Sequence, residues 1–137
     1  WIHNLHGVQK GMIFGSSICE KGHVALTCGD DADGKNRVVV WDLRTGKHIR
    51  SLVGHEDWVY SCALSADGKY AITGSSDKIS IFWDVGEGEC LHSLKGHTGV
   101  VYACSLSEDG AVGLSASSDN TLILWDTKSG TKKALLE

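Results

Sequence analysis

Ser115, His97 and Asp119 are the residue types of a nucleophile, a general base and the carboxylate that orients it. On paper they form a catalytic triad. The same order of types stands 42 residues earlier as His55, Thr73 and Asp77, and each set is followed by a tryptophan, Trp83 or Trp125. Nucleophilic catalysis needs neither a second copy nor an indole donor. The sets are therefore read as structural, and the chain as a non-enzyme.

Metal chemistry is the next possibility that these residue types raise. Asp30, Asp31 and Asp33 cluster as a calcium loop would, but Gly34 is misplaced for an EF-hand and no glutamate follows at the closing position. Of seven histidines, His55 and His97 belong to the repeated sets and the other five are scattered, and Cys90 with His92 lacks an evident third ligand. Five cysteines, Cys19, Cys28, Cys62, Cys90 and Cys104, make an odd count with no Cys-x-x-Cys spacing. That argues against a disulfide framework or zinc and for a reducing compartment, cytoplasmic or nuclear. No metal and no cofactor is expected. Neither Gly7–Gly11 nor Gly29–Gly34 ends in the Lys-Ser/Thr of a phosphate loop.

Composition narrows the partners. A formal charge of −4, with Lys69, Lys78 and Lys95 isolated from one another, gives no basic stripe for nucleic acid or an acidic membrane. No secretory signal follows Trp1, and the run Val38-Val39-Val40-Trp41 is far too short to span a bilayer.

The elements that must position these residues repeat. Gly54-His55, Asp67-Gly68, Ser75-Ser76-Asp77 and Trp83-Asp84 recur as Gly96-His97, Asp109-Gly110, Ser117-Ser118-Asp119 and Trp125-Asp126. Aligned without a gap, residues 54–95 and 96–137 share 17 identities, which makes the period a property of the fold. A third copy ends at Trp41-Asp42, with gaps in its front half. Each repeat holds four short β-like runs, in the second roughly His48–Val53, Val59–Ser65, Tyr70–Gly74 and Ile79–Asp84, divided by Gly- and Asp-containing turns. Four strands in such a unit make a propeller blade. The reading is an all-β chain, 1–137, of three four-stranded antiparallel blades. The repeats run approximately 1–46, 47–88 and 89–130, with 131–137 as a final strand.

The paired Gly-His and Trp-Asp, with 28 residues from His55 to Trp83 and from His97 to Trp125, resemble the WD-repeat family over nearly the whole chain. The resemblance implies a structural tetrad at His55, Thr73, Asp77 and Trp83, and again at His97, Ser115, Asp119 and Trp125. The chemistry is coherent: indole N–H to hydroxyl, hydroxyl to imidazole, imidazole to carboxylate. The first repeat departs from it. Val8 stands at the histidine position and the Asp30–Asn36 segment replaces the tight turn, so no tetrad aspartate is assignable, while Thr27 matches Thr73 and Trp41 remains. Ser80 aligns with Leu122 where an apolar residue is expected.

The resemblance also implies a protein-interaction scaffold whose partners are other proteins or peptides. Trp58, Tyr60 and Ser76, then Val100, Tyr102 and Ser118, should face the binding end. Glu56 and Asp57 beside Trp58 suit a basic rim. Trp41-Asp42-Leu43-Arg44 resembles a motif that docks on a cullin-type ubiquitin ligase, which would make Arg44 a contact and the chain a substrate receptor. A sensing or autoinhibitory propeller of a signalling nucleotide-binding ATPase is a further implied role. Propellers usually have about four to eight blades. Three should need further blades, either from a longer parent chain or from a homo-oligomer. Residues 1–6 are expected to be the last strand of a preceding blade, because Ile2 and Leu5 match Ile49 and Leu52.

Overall fold

A computed structural model describes residues 3–35 and 37–137. Among the described residues every regular element is a strand. β1 (Ile13–Cys19), β2 (Val24–Gly29), β3 (Val38–Asp42) and β4 (His48–Ser51) form the first sheet in chain order. β5 (Val59–Leu64), β6 (Tyr70–Ser75), β7 (Ile79–Asp84) and β8 (Glu89–Lys95) form the second. β9 (Val101–Leu106), β10 (Val112–Ser117), β11 (Leu122–Asp126) and β12 (Thr131–Leu136) form the third. All neighbours pair antiparallel. This is the four-stranded blade architecture of the sequence reading. The described residues contain no helix long and apolar enough to cross a membrane.

The first strand of each sheet lies nearest the next sheet. β5 packs against β1 and β2, and β9 against β5 and β6. One apolar cluster joins the first two sheets through Leu26, Cys28, Val38 and Leu52 on one side and Val59 and Cys62 on the other. A second joins the next pair through Ile72, Phe82 and Leu94, with Cys104 and Leu106 against them. Polar links cross the same seams: Leu64 N–H donates to Ser17 Oγ at 3.1 Å, and Cys104 N–H to Ser61 Oγ at 3.1 Å.

Ser80 is buried, and the seam explains the departure from an apolar residue. Its hydroxyl lies 3.8 Å from Cys104 Sγ. Its pairing partner Gly74 meets the same neighbour, since a Cβ there would stand 2.6 Å from Val101 Cγ1 and 2.8 Å from Cys104 Sγ. Two small side chains make room for the third sheet.

The outer strands β4 and β8 also reach across to the following sheet's last turn. His92 Nε2–H donates to Lys128 O at 3.1 Å, and a Cβ on Gly130 would lie 2.6 Å from its ring. Arg50 covers Gly88 in the same way. Both glycines hold positive φ, 70° and 75°, a conformation that side chains resist. His3 repeats the contact, donating from Nε2 to Arg44 O at 2.9 Å over Gly46. The expected strand at residues 1–6 is nevertheless not formed where it can be seen. Residues 3–6 are irregular, and Trp1 and Ile2 lie outside the described residues. A strand needs a ladder partner, and among the described residues of this segment the contacts are the His3 bond and the packing of Leu5 on the cluster around Trp41.

The two ends of the array are apolar by the rule that buries their equivalents. Val59 and Val101 are fully buried in the seams, whereas Ile13 at the same position of β1 is 53% exposed. Leu52 and Leu94 are buried, whereas Leu136 is 50% exposed.

Candidate functional site

In an antiparallel four-stranded sheet, the turn between the second and third strands shares an end with the loop that leads into the first. That end gathers His55, Asp57, Trp58 and Asp77 in the second sheet and His97, Val100, Ser118 and Asp119 in the third. Arg44, in the turn after β3, lies at the opposite end.

The hydrogen bonds at the gathered end run in relays. Trp83 Nε1–H donates to Thr73 Oγ1 at 2.8 Å, and Thr73 Oγ1 lies 2.7 Å from His55 Nε2. His55 Nδ1 lies 2.8 Å from Asp77 Oδ2. A carboxylate only accepts, so Nδ1 carries the proton and Nε2 takes the threonine's. In the third sheet Trp125 Nε1–H donates to Ser115 Oγ at 2.8 Å. Ser115 Oγ is 2.8 Å from His97 Nε2, and His97 Nδ1 is 2.9 Å from Asp119 Oδ2. Thr73, Ser115 and Trp83 are fully buried and Trp125 nearly so. The hydroxyl of Ser115 is committed to two partners beneath the sheet surface, which leaves it unsuited to attack a substrate.

The carboxylates also fix the loops. Asp77 accepts from the N–H of Glu56 at 3.1 Å and of Ile79 at 3.0 Å. Burial works against its ionisation, but His55 and these two N–H groups outweigh it and hold the carboxyl below its ordinary range. Asp119 is held below the ordinary range as well. The Thr121 hydroxyl is the main cause, and the Thr98 N–H and His97 add to it against some desolvation.

The first sheet carries a relay without histidine, and it corrects the assignment of Val8. Trp41 Nε1–H donates to Thr27 Oγ1 at 2.8 Å, and Thr27 donates onward to Gln9 Oε1. Gln9 Nε2–H then donates to Arg37 O at 3.4 Å. Gln9 therefore stands where the histidine stands elsewhere, and Val8 packs on the cluster around Trp41. The single extra residue after Gly7 was the available signal: the chain takes one more step before its polar side chain turns inward. Arg37 was also missed. Its guanidinium donates to His55 O at 2.7 Å and so ties the 30–37 segment to the second sheet. Asp31 within that segment is buried, Asp30 accepts from Met12 N–H, and Asn36 lies outside the described residues.

The residues expected to meet a partner divide in two. Trp58 and Tyr102 are 45% and 54% exposed. Tyr60 is half-buried, with its ring centroid 5.2 Å from that of Tyr102. Ser76 and Ser118 are instead engaged with the backbone: Ser76 N–H and Oγ–H both donate to Trp58 O, and Val100 N–H donates to Ser118 Oγ. They hold Trp58 and Val100 in place. Val100 is half-buried, and the Arg44 side chain is exposed at the far end.

No group of three or more His, Cys, Asp or Glu able to hold a metal ion occurs among the described residues. A bulge in β8 leaves Leu91 as the extra residue between Cys90 and His92, and His92 is already bonded to Lys128 O. Cys62 and Cys104 are not activated either. The neighbouring Cys28 and burial push Cys62 well up, and burial raises Cys104 to about 12, so neither presents a thiolate.

Comparison with known proteins follows the same lines. The profile of the WD domain, G-beta repeat family matches residues 46–84 and 88–126, the blocks that carry the two histidine relays. Nuclear distribution protein PAC1 of Komagataella phaffii is 38% identical over 52 residues, which is 38% of this chain and 10% of that protein. The Intraflagellar transport protein 122 homologs of Xenopus tropicalis and Mus musculus are 49% and 44% identical over 43 residues, 31% of this chain and 4% of each relative. The chain thus spans a tenth or less of the length of these relatives. With the matched repeats covering more than half of its residues, the chain belongs to the WD domain, G-beta repeat family.

Proposed function

We propose that this chain is a non-catalytic protein-interaction scaffold that docks partner proteins or peptides on the end carrying Trp58, Tyr60 and Tyr102. The observation that carries the reading is the exposure of Trp58 and Tyr102 beside loops locked by relays and backbone bonds. Large aromatic anchors on a rigid frame bind with little loss of side-chain freedom. An intracellular setting, cytoplasmic or nuclear, is part of this reading, and the five free cysteines support it.

The reading includes a larger ring. Ile13 at one end of the array and Leu136 at the other occupy positions that are buried within the seams, so each end matches what a further blade would cover. A longer parent chain is the favoured source of those blades, and a second copy is the alternative.

A photo-crosslinking residue in place of Trp58 tests the docking surface. Irradiation in a cell extract should join the chain to a discrete protein, and the same residue at exposed Lys133 should not. Unlabelled chain should compete for that product, and unlabelled Tyr102→Ala chain should compete poorly. Identical products from both positions, or equal competition, would overturn the proposal.

A further inference from the structure

The first strand of every sheet contains one β-bulge, and the extra residue of each bulge is aromatic. In β1 the register passes from Ile13 opposite Gly29 to Gly15 opposite Cys28, which leaves Phe14 unpaired. In β5 it passes from Val59 opposite Ser75 to Ser61 opposite Gly74, which leaves Tyr60. In β9 it passes from Val101 opposite Ser117 to Ala103 opposite Ala116, which leaves Tyr102. A bulge re-aims the side chain of its extra residue. Here the three re-aimed rings meet across the seams, Phe14 to Tyr60 at 5.0 Å and Tyr60 to Tyr102 at 5.2 Å between centroids. Trp58 caps the row, 6.0 Å from Phe14. The result is a continuous aromatic row over all three sheets, open to solvent at Trp58 and Tyr102.

Carboxylates stand at its Trp58 end. Glu56 and Asp57 are exposed immediately before Trp58, and Asp57 accepts from the Trp58 N–H. Asp30 faces Trp58 across a hollow of about 290 Å³ that Lys10, Gly11 and Ala32 also line. Lys10 is the one cation among those lining residues.

We propose that this row is a seat for arginine side chains of an extended partner segment, with Glu56, Asp57 and Asp30 as its acidic rim. Ring faces carry negative potential, and a planar guanidinium stacks on them while its N–H groups stay free for carboxylates. The inference rests on the docking surface proposed above and names what occupies it.

The probe is an alternating arginine–glycine hexapeptide, with citrulline–glycine and glutamate–glycine hexapeptides as neutral and acidic counterparts. Binding is followed by fluorescence and by the indole N–H resonances. The arginine peptide should shift the Trp58 resonance, and each of Trp58→Leu and Tyr102→Leu should weaken it about tenfold, the scale of one well-formed cation–π contact. Both residues are exposed, so the variants should keep the wild-type melting temperature. Glu87→Gln, in a turn at the opposite end, should bind as wild type. Equal binding of the citrulline peptide, unchanged affinity in both leucine variants, or an equal loss in Glu87→Gln would overturn the seat. If the seat fails while the crosslink at position 58 persists, the docking surface stands without it. If arginine binding holds and the crosslink is absent, the macromolecular reading fails instead.

Discussion

Gly74 of the second sheet lies directly under Cys104 of the third: a Cβ at Gly74 would come within 2.8 Å of the cysteine sulfur. The same carbon would come 2.6 Å from Val101 Cγ1, and Val101 is fully buried and cannot swing aside. Gly74→Ala should therefore push the third sheet off the second, at a cost of about 1–3 kcal/mol, the usual range for overpacking. Urea unfolding monitored at Trp125 checks this. An unchanged midpoint would show that the seam yields at no cost.

Thr73 is the hinge of the second sheet's relay, since it takes the indole proton of Trp83 and gives its own to His55. Thr73→Val keeps the shape and leaves both neighbours unpaired in a buried site. A loss of about 2–4 kcal/mol follows from two orphaned polar groups. Thr73→Ser, which restores the arrangement seen at Ser115, should recover most of it. Thermal melts of the two variants separate the hydrogen bonds from the packing of the methyl group.

Acid should unfold the chain through Asp77 and Asp119. Both carboxyls lie below the ordinary value of 3.8 in the folded state. A group with a depressed folded pKa contributes its full stability above its unfolded pKa and loses it as pH falls through the folded one. The melting temperature should thus be flat above about pH 5 and fall steeply below the ordinary carboxyl value. Asp77→Asn with Asp119→Asn should lower the plateau and flatten the acid limb. An acid limb of unchanged slope would assign the transition to other groups. Asp67 and Asp109 are also depressed, but they are solvent-exposed and contribute little each. Asp42 and Asp126, half-buried and depressed chiefly by N–H groups of their own turns, add to the same limb.

Lys78 occupies the left-handed conformation, φ 70°, in the tight turn after Asp77, where the third sheet has Asn120 at φ 67°. Asparagine tolerates that region better than lysine, because its short polar side chain can bond locally. Lys78→Asn should raise stability by a few tenths to about 1 kcal/mol. The Lys78 N–H bond to Ser75 O is untouched, so the gain would be conformational. A denaturation midpoint that falls would show that the lysine side chain contributes more than its backbone strain costs.

The sequence made the second and third sheets legible because every tetrad position recurs at one offset, with Gly-His and Trp-Asp as fixed markers. Strand positions followed from the same register. β6 and β7 fall within a residue of the runs read from composition, and β4 stops two residues short of Val53. What could not be read was contact between sheets. Nothing in the local pattern of Phe14, Tyr60 and Tyr102 marks a bulge, because the extra residue is defined only by its partner strand. Ser80 was legible as an exception, but its reason, the sulfur of Cys104, lies in another repeat. Arg37 was hidden the same way, since its target is a backbone carbonyl at His55.

Gln9 gives the last prediction, because it shows how the first sheet keeps a relay without histidine. Its amide accepts from Thr27 on one side and donates to the Arg37 carbonyl on the other, so it does with one planar group what His55 does with a ring. The acceptor is backbone, however, and no side-chain carboxylate ends this chain of bonds as Asp77 ends the other. Gln9→Leu should orphan the Thr27 hydroxyl and destabilise the first sheet by about 1–2 kcal/mol, leaving the other two intact. Hydrogen exchange resolved by sheet is the measurement: faster exchange confined to β2 and β3 is expected. Gln9→His should be nearly neutral, since the imidazole can donate to the same Arg37 carbonyl and accept from the same hydroxyl. If Gln9→Leu left exchange in β2 and β3 unchanged, the Trp41–Thr27 pair alone would be holding the first sheet.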